Sequence, residues 1–249
     1  MTAPNKNTQS NEASLFAHII ETEIELGEQA KLVHGKIVSP QDEAFSVHLS
    51  QTTVRVAKGA FYDNFALLGG GKLTRNAIDV TLADEMAQCR LYGAMLLRGT
   101  EHADTTTRVV HAAPHATSRQ HYKSVIGGKA RGVFKGKIVV NKGAQKADGY
   151  QLCRTLLLSD QAEMDAKPEL EIYANDVSCS HGCTVGDLDE QALFYLQSRG
   201  IVEEEARALL IEAFVGELVN EIQSPDLRQS VEDEVKKWLY GCRCISKHG

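Results

Sequence analysis

The phrase VRVAKGAFYD, residues 54–63, has a pattern that recurs along the first two thirds of the chain. It consists of a short β-branched run, a polar break, a small residue and a second extended run. The same order is found in EIELGEQAKL (23–32), VTLADEMAQC (80–89), RVVHAAPHAT (108–117), IVVNKGAQKA (138–147) and EIYANDVSCS (171–180). The corresponding positions recur every 26 to 33 residues, at Leu26, Val56, Leu82, Val110, Val140 and Tyr173. Units this thin cannot bury their own apolar face, so a fixed-period repeat of them indicates a stacked solenoid.

The repeat favours a parallel β-helix over residues 15–186, with two or three short strands in each turn. A β-sandwich is the main alternative, but it would use Asn-Gly or Asp-Gly hairpin turns, and only Asp148–Gly149 offers one. The glycine-rich segments 66–76 and 125–137 are interpreted as corner turns that need positive φ. A phosphate-binding loop is excluded at the first of them, because Gly71 and Lys72 are followed by Leu73 instead of Ser or Thr.

The pattern changes to helical periodicity over residues 187–241. We expect a first helix capped by Asp187, with Glu190 three positions later and a stop at Gly200. A second helix is predicted over residues 202–222. A third should begin with Ser224 as the N-cap and Pro225 at the first helical position. The sequence therefore predicts a small C-terminal α-helical domain, followed by a tail at residues 242–249.

Composition excludes several classes of function. The 27 basic and 33 acidic residues give a net charge of -6, and no basic run with interleaved aromatic residues suggests nucleic-acid binding. The start of the chain does not resemble a secretory signal, and no apolar stretch of about 18 residues exists to span a membrane. A cytoplasmic location is therefore expected, with the six cysteines reduced. A carbohydrate-active β-helix remains an alternative, although clustered acidic residues on the strands are missing and only 6% of residues are aromatic.

Three candidate ligands, two thiols and an imidazole, lie close together near the end of the last predicted strand: Cys179, His181 and Cys183. Side chains at alternate positions of a strand project from one face, so all three should point the same way. Two positions apart along a strand is roughly 7 Å, which is too far for a simple tetrahedral metal site. An edge of ligands that another chain or a cluster completes fits better. Core packing with a hydrogen-bonded histidine is the plainer alternative, and a self-associating metal or redox sensor is another.

The phrases HAAPHATSRQ (111–120), KPELEIYANDV (167–177) and CSHG (179–182) resemble the SufB/SufD family of iron–sulfur cluster assembly proteins, and its SufD branch more closely. The resemblance extends over nearly the whole chain. It implies a right-handed parallel β-helix followed by a small helical domain. It also implies a non-catalytic scaffold subunit of an ATP-driven complex.

The resemblance further implies partners and site residues. A SufB-like subunit would pair through the end of the β-helix, and a SufC-like ATPase would dock on the C-terminal helices. His181 matches a cluster-assembly residue, Cys179 matches the neighbouring interface cysteine, and the partner would supply the essential thiolate. No tightly bound cofactor is expected on the isolated chain, only a transient iron–sulfur cluster in the complex. The predicted ATPase-docking residues are Leu209, Phe214, Leu218, Leu227 and Trp238.

Two departures from the family pattern affect these expectations. Cys183 occupies a position where the family more often has alanine, so it is either a third candidate ligand or a neutral exchange. The family's long N-terminal helical region has no counterpart here, and the polar residues 1–14 are predicted to be disordered. We therefore expect a fragment or a shortened relative, with a homodimer as the alternative to the heterodimer.

The remaining histidines and cysteines receive structural interpretations. Cys89 and Cys153 are expected in the core, whereas Cys242 and Cys244 are expected as free thiols in the tail. Hydrogen bonding at corners or interfaces is predicted for His111, His115 and His121.

Overall fold

The computed structural model describes residues 16–39 and 46–240, which form twelve β-strands followed by three α-helices. The strands are β1 Phe16–Leu26, β2 Lys31–Val38, β3 Ser46–Val56, β4 Phe61–Gly69, β5 Leu73–Leu82, β6 Gln88–Leu97, β7 His102–His111, β8 Thr117–Ile126, β9 Arg131–Val140, β10 Asp148–Leu157, β11 Glu163–Ile172 and β12 Ser178–Gly186. The helices are α1 Glu190–Ser198, α2 Glu203–Val219 and α3 Pro225–Tyr240. The segments predicted to be disordered or frayed, residues 1–14 and 242–249, lie outside the described residues.

The strands form a parallel β-solenoid, which confirms the predicted fold class. Odd-numbered strands make one six-stranded sheet in the order β1-β3-β5-β7-β9-β11, and even-numbered strands make the other in the order β12-β10-β8-β6-β4-β2. Each turn of the solenoid thus contributes one strand to each sheet. Two strands per turn is the smaller of the two numbers that the sequence predicted.

The strand register corrects two of the six repeat markers. The column of paired residues along the odd-numbered sheet is Leu26, Val56, Leu82, His111, Val140 and Ile172. The predicted markers Val110 and Tyr173 are each one position away from this column. In the fourth turn the marker was placed at Val110 because only apolar residues were considered, whereas the equivalent residue is His111. His111 is fully buried, and both ring nitrogens have hydrogen-bond partners: Nε2 lies 2.8 Å from Ser118 Oγ, and Nδ1 donates to a backbone carbonyl.

The two faces of the even-numbered sheet bury different parts of the molecule. Alternate residues point into the solenoid, where Tyr62, Leu91 and Tyr122 belong to the interior core together with the buried Cys89 and Cys153 that the sequence predicted. The opposite face of the same sheet packs against the C-terminal helices. A second core joins them, formed by residues that include Phe65, Leu67, Leu96 and Val125 from the strands and Ile211, Val215, Leu218, Val231 and Trp238 from the helices.

A buried lysine links α2 to this sheet. The Lys123 side chain is fully buried, and its Nζ donates to the backbone carbonyl of Phe214 and to Glu217 Oε2, each at 2.5 Å. The ammonium also lies 4.5 Å from the centre of the Phe214 ring. Burial lowers the pKa of Lys123, while the carboxylate of Glu217 acts in the opposite direction. The helices are therefore attached to the solenoid by apolar burial and by ion pairs, of which Lys123–Glu217 is the most buried.

Positive φ angles occur at turns, as the glycine-rich segments predicted. Gly70 and Gly71 have φ values of 70° and 76°, and Gly128 has a φ of 66°. The corresponding turn conformation is adopted by His115 (φ 58°) and Met86 (φ 59°) without glycine. Glycine therefore marks only some of the turns of this solenoid.

Two helix ends differ from the predictions: α2 ends at Val219 and not at residue 222, and the N-cap of α1 is shifted. Asp189, not Asp187, caps α1, because its Oδ1 accepts hydrogen bonds from the backbone N–H groups of Gln191 (2.8 Å) and Ala192 (3.1 Å). Gly200 follows this helix with a φ of 88°, as expected for a stop. Within the described range, no helix is long and apolar enough to cross a membrane.

Candidate functional site

The final strand, β12, carries the three candidate ligands at one end of the solenoid. It pairs with β10 on one side, and within residues 16–39 and 46–240 no strand pairs with its other edge. The register places Cys179 opposite Gly149, His181 opposite Gln151 and Cys183 opposite Cys153. The ligands therefore lie on the last coil, where a further chain could extend the sheet.

The side chains of Cys179, His181 and Cys183 project from the face of β12 that is directed toward the interior of the solenoid. Aligned residues of a parallel strand pair lie on the same face, and both Gln151 and Cys153 are fully buried. No further coil covers this face of β12 in the described part of the chain. As a result, His181 and Cys183 are exposed and Cys179 is half-buried. The strand places these side chains at the open mouth of the core.

The described residues do not by themselves assemble a metal site at this edge. Among the residues that the structure describes, no group of three or more His, Cys, Asp or Glu side chains is arranged to hold a metal ion. The reason is the extended backbone, which spreads alternate side chains by roughly 7 Å. Ligation at this edge would therefore require groups from outside the described residues.

Cys179 packs on a small apolar surface at the exposed end of the solenoid core. It packs against a cluster that contains Ile138, Ala147 and Ala174. Gly149 makes room for the thiol, since a Cβ at that position would lie 3.4 Å from Cys179 Sγ and 3.3 Å from Ile138 Cγ2. Burial raises the pKa of the Cys179 thiol. The group is therefore protonated at neutral pH, and it would need a partner or a metal to become a thiolate.

A ladder of polar side chains extends from His181 into the core, and the sequence analysis missed it. His181 is aligned with Gln151, which is aligned with Gln120. Gln120 is fully buried and its Oε1 accepts a 2.6 Å hydrogen bond from Thr107, whereas both amide atoms of Gln151 lack a protein partner. The sequence repeat could have predicted this ladder, because Gln120, Gln151 and His181 are separated by 31 and 30 positions, close to one repeat length in each case.

A second missed feature is the neighbour of Cys183. Cys153 is aligned with it and fully buried. Burial, followed by the proximity of Cys183, raises the pKa of the Cys153 thiol to about 12. Cys153 was expected in the core, and it is buried there, but its pairing with Cys183 was not predicted.

The end of the solenoid also exposes large apolar side chains. They come from the end of β11, from β12, from α1 and from the residue before α2, and α1 buries none of its residues. The exposed fractions are 40% for Ile172, 62% for Tyr173, 46% for Val185, 71% for Phe194, 56% for Tyr195 and 65% for Val202. Single exposed apolar residues are ordinary, but a set this large between the end of β11 and the start of α2 is typical of an interaction surface. The strands β1 and β2 at the opposite end of the solenoid expose Ile19, Ile20 and Val33.

The five predicted docking residues of the helices do not share one environment. Leu218 and Trp238 are buried in the core between helices and sheet, and Phe214 and Leu227 pack against that core. Leu209 is the most accessible of the five, with 38% of its surface exposed. A partner that binds the folded helices would therefore contact Leu209 more readily than the other four.

Three other histidines that the sequence singled out, His111, His115 and His121, lie on other strands or turns. His111 is hydrogen-bonded inside the core, and His115 is exposed in a turn. His121 is half-buried next to the ring of Tyr92, with centroids 5.8 Å apart. The predicted tail thiols Cys242 and Cys244 lie outside the described residues.

Comparison with known proteins places the chain among cluster assembly proteins. The family model described as the SufBD core domain of the SUF system for iron–sulfur cluster assembly matches residues 5–214. The chain is 35% identical over 218 residues to the iron–sulfur cluster assembly protein SufD of Escherichia coli, which covers 88% of this chain and 51% of that protein. It is 35% identical over 209 residues to a SufBD family protein of Synechocystis, covering 84% and 46% respectively. The chain thus spans about half the length of these curated relatives.

Proposed function

This chain belongs to the SufBD family of iron–sulfur cluster assembly proteins, and we propose that it is a SufD-like scaffold subunit and not an enzyme. The proposal rests above all on one observation, the open edge of β12 with His181 and Cys179 at the mouth of the solenoid. An incomplete set of ligands on a strand with one free edge suits a site that two chains share. The cluster would be cargo, held briefly at the boundary and then passed on.

A SufB-like subunit is the partner that we propose for this end. Pairing would cover the exposed apolar side chains of α1 and β12, of which Phe194 is the most exposed. Burial of apolar surface favours association, and strand addition would satisfy the free backbone groups of β12. His181 would act as a ligand or proton acceptor beside a thiolate from the partner, while Cys179 would lie next to it. Iron–sulfur clusters are bound mainly through thiolates, and a histidine changes their potential.

A SufC-like ATPase is the second proposed partner, and it would bind the C-terminal helices. These helices are fixed to the outer face of the even-numbered sheet by the Lys123–Glu217 pair and by the shared core. Movement imposed on α2 would therefore be transmitted to the sheet that ends in β12. We propose Leu209 as the contact residue among the predicted five, and a cytoplasmic location for the complex.

The first test is co-expression of the chain with SufB-like and SufC-like subunits, followed by measurement of the complex mass after size exclusion. We expect one complex that contains all three. A chain that elutes alone, or as a homodimer in the presence of both partners, would overturn the heterodimer proposal.

The second test addresses the site itself with a double variant, His181→Ala with Cys179→Ser. In the reconstituted complex this variant should lose cluster formation, measured by visible absorbance and iron content, without a change in thermal stability. The matched control is Ser180→Ala, because Ser180 lies between the two residues but on the opposite face of β12, and it is exposed. Cluster formation that survives in the double variant would show that the site is elsewhere.

A further inference from the structure

One cysteine from each of the last two coils lies side by side with the other on neighbouring strands. Cys153 of β10 and Cys183 of β12 are aligned in the parallel register, so both side chains are on the interior face. Aligned residues of adjacent strands are roughly 4.8 Å apart. Disulfides usually join Cα atoms about 4.4–6.8 Å apart, so the backbone separation is already within range.

The two thiols differ in their access to solvent. Cys183 is exposed at the mouth of the solenoid, whereas Cys153 directly behind it is fully buried. A reagent in solution would therefore reach Cys183 first and would encounter Cys153 only through it. Cys183 is therefore placed to form a mixed disulfide first, and Cys153 to resolve it.

The strand that carries Cys183 can adjust its position. Disulfides need a Cβ separation of about 3.5–4.5 Å, slightly less than the separation of roughly 4.8 Å between adjacent strands. β12 has one partner strand, and the glycines Gly182 and Gly186 lie on either side of Cys183. A Cβ at Gly186 would meet no atom within 4 Å, so this end of the strand has space to move. A disulfide formed here would be somewhat strained, and strained disulfides are easily reduced.

We propose that Cys153 and Cys183 form a reversible dithiol–disulfide couple that is oxidised by a low-molecular-weight disulfide. The Cys183 thiolate attacks one sulfur of the small disulfide, forming a mixed disulfide and releasing one small thiolate. Cys153 then loses its proton and attacks the Cys183 sulfur as a thiolate; the mixed disulfide breaks, and the second small thiolate leaves and takes up a proton. Two protein thiols are oxidised to one disulfide, and one small disulfide is reduced to two thiols.

The product would bind β12 covalently to β10. The residues between the two cysteines would form a closed loop of one solenoid turn, and the edge that we propose for partner pairing would become rigid. Pairing at this end would in turn shield Cys183 from small disulfides. The exchange therefore belongs to the unpaired chain and does not depend on the cluster-assembly role.

The test uses the full chain, reduced and then incubated anaerobically with oxidised glutathione under native conditions. Free thiols are blocked afterwards, and peptides are mapped by mass spectrometry without reduction. We expect a cross-linked pair of peptides that contains Cys153 and Cys183 and that disappears after treatment with dithiothreitol. In the cross-linked sample, hydrogen exchange of the β12 amides should be slower than in the reduced chain.

Two variants separate this couple from general oxidation. Cys183→Ser should remove the cross-link and leave Cys153 as a free thiol, whereas Cys179→Ser should leave the cross-link in place. A stable glutathione adduct on Cys183 with Cys153 still reduced would overturn the proposal. So would a disulfide from Cys183 to any other cysteine of the chain.

Discussion

Replacement of single leucines on α2 should separate internal packing from partner binding. Leu218 is fully buried between the helix and the even-numbered sheet, whereas Leu209 on the same helix has 38% of its surface exposed. Truncation of a buried leucine to alanine costs about 2–5 kcal/mol, because apolar contacts are lost and a cavity remains. We expect about 3 kcal/mol for Leu218→Ala and about 1 kcal/mol or less for Leu209→Ala.

These magnitudes can be measured by thermal and urea denaturation followed by circular dichroism. For a chain of this size, 1 kcal/mol shifts the melting temperature by about 2–4 °C, so Leu218→Ala should melt roughly 6–12 °C lower. Leu209→Ala should melt within a few degrees of the parent chain. In a pull-down titration with the ATPase, however, Leu209→Ala should weaken binding about tenfold, which corresponds to about 1.4 kcal/mol.

The two residues also serve as controls for each other. Equal losses of stability for both variants would mean that α2 does not pack as the structure describes. An unchanged affinity of Leu209→Ala for the ATPase would remove the docking role from this helix face and would leave the fold untouched.

Two further predictions concern the interior. Burial lowers the pKa values of His111 and His121 to about 4, so between pH ~6.5 and ~4 the unfolded chain binds protons that the folded chain does not. The free energy of unfolding should therefore be highest above pH ~6.5 and fall as the pH drops, by on the order of 3 kcal/mol for His111. Urea titrations at several pH values measure this fall, and an equally steep fall in a His111→Asn variant would contradict the prediction. At Gly136, a Cβ would overlap with Nε2 of Gln151, so Gly136→Ala should cost about 1–3 kcal/mol. That cost should shrink in a Gln151→Ala background, and an equal cost in both backgrounds would show that the two residues are not coupled.

The fold could be predicted because apolar residues occupy most of the equivalent positions of its repeat. Leu26, Val56 and Leu82 are equivalent in the structure as they are in the sequence pattern. The pattern failed where the buried residue is polar, as at His111, because only the folded structure shows the hydrogen bonds that make such burial affordable. It also failed at the cap of α1, where Asp187 and Asp189 are both suitable residue types and only the backbone selects the second.

The candidate site was predictable as a strand edge but not as part of a coil. Alternation along the sequence suggested a common face for Cys179 and Cys183. Contacts between neighbouring coils can be predicted only when the strand register is known, and the repeat was identified mainly from apolar residues. Gln151 with His181, and Cys153 with Cys183, are both separated by 30 positions, so the repeat length would have paired them. The residues whose contacts were not predicted therefore follow the same repeat as the apolar residues, although they are polar or carry thiols.

The one-sided pairing of β12 has a consequence for the energetics of the whole molecule. In a linear array of coils each unit is stabilised by its nearest neighbours, so a terminal unit has half the usual support. Its free energy of local opening should therefore lie well below that of global unfolding. The coil that carries His181 can fray and re-form while the central coils and the helices stay folded. A docking partner would convert this terminal coil into an internal one, and its contribution would appear as cooperativity between coils.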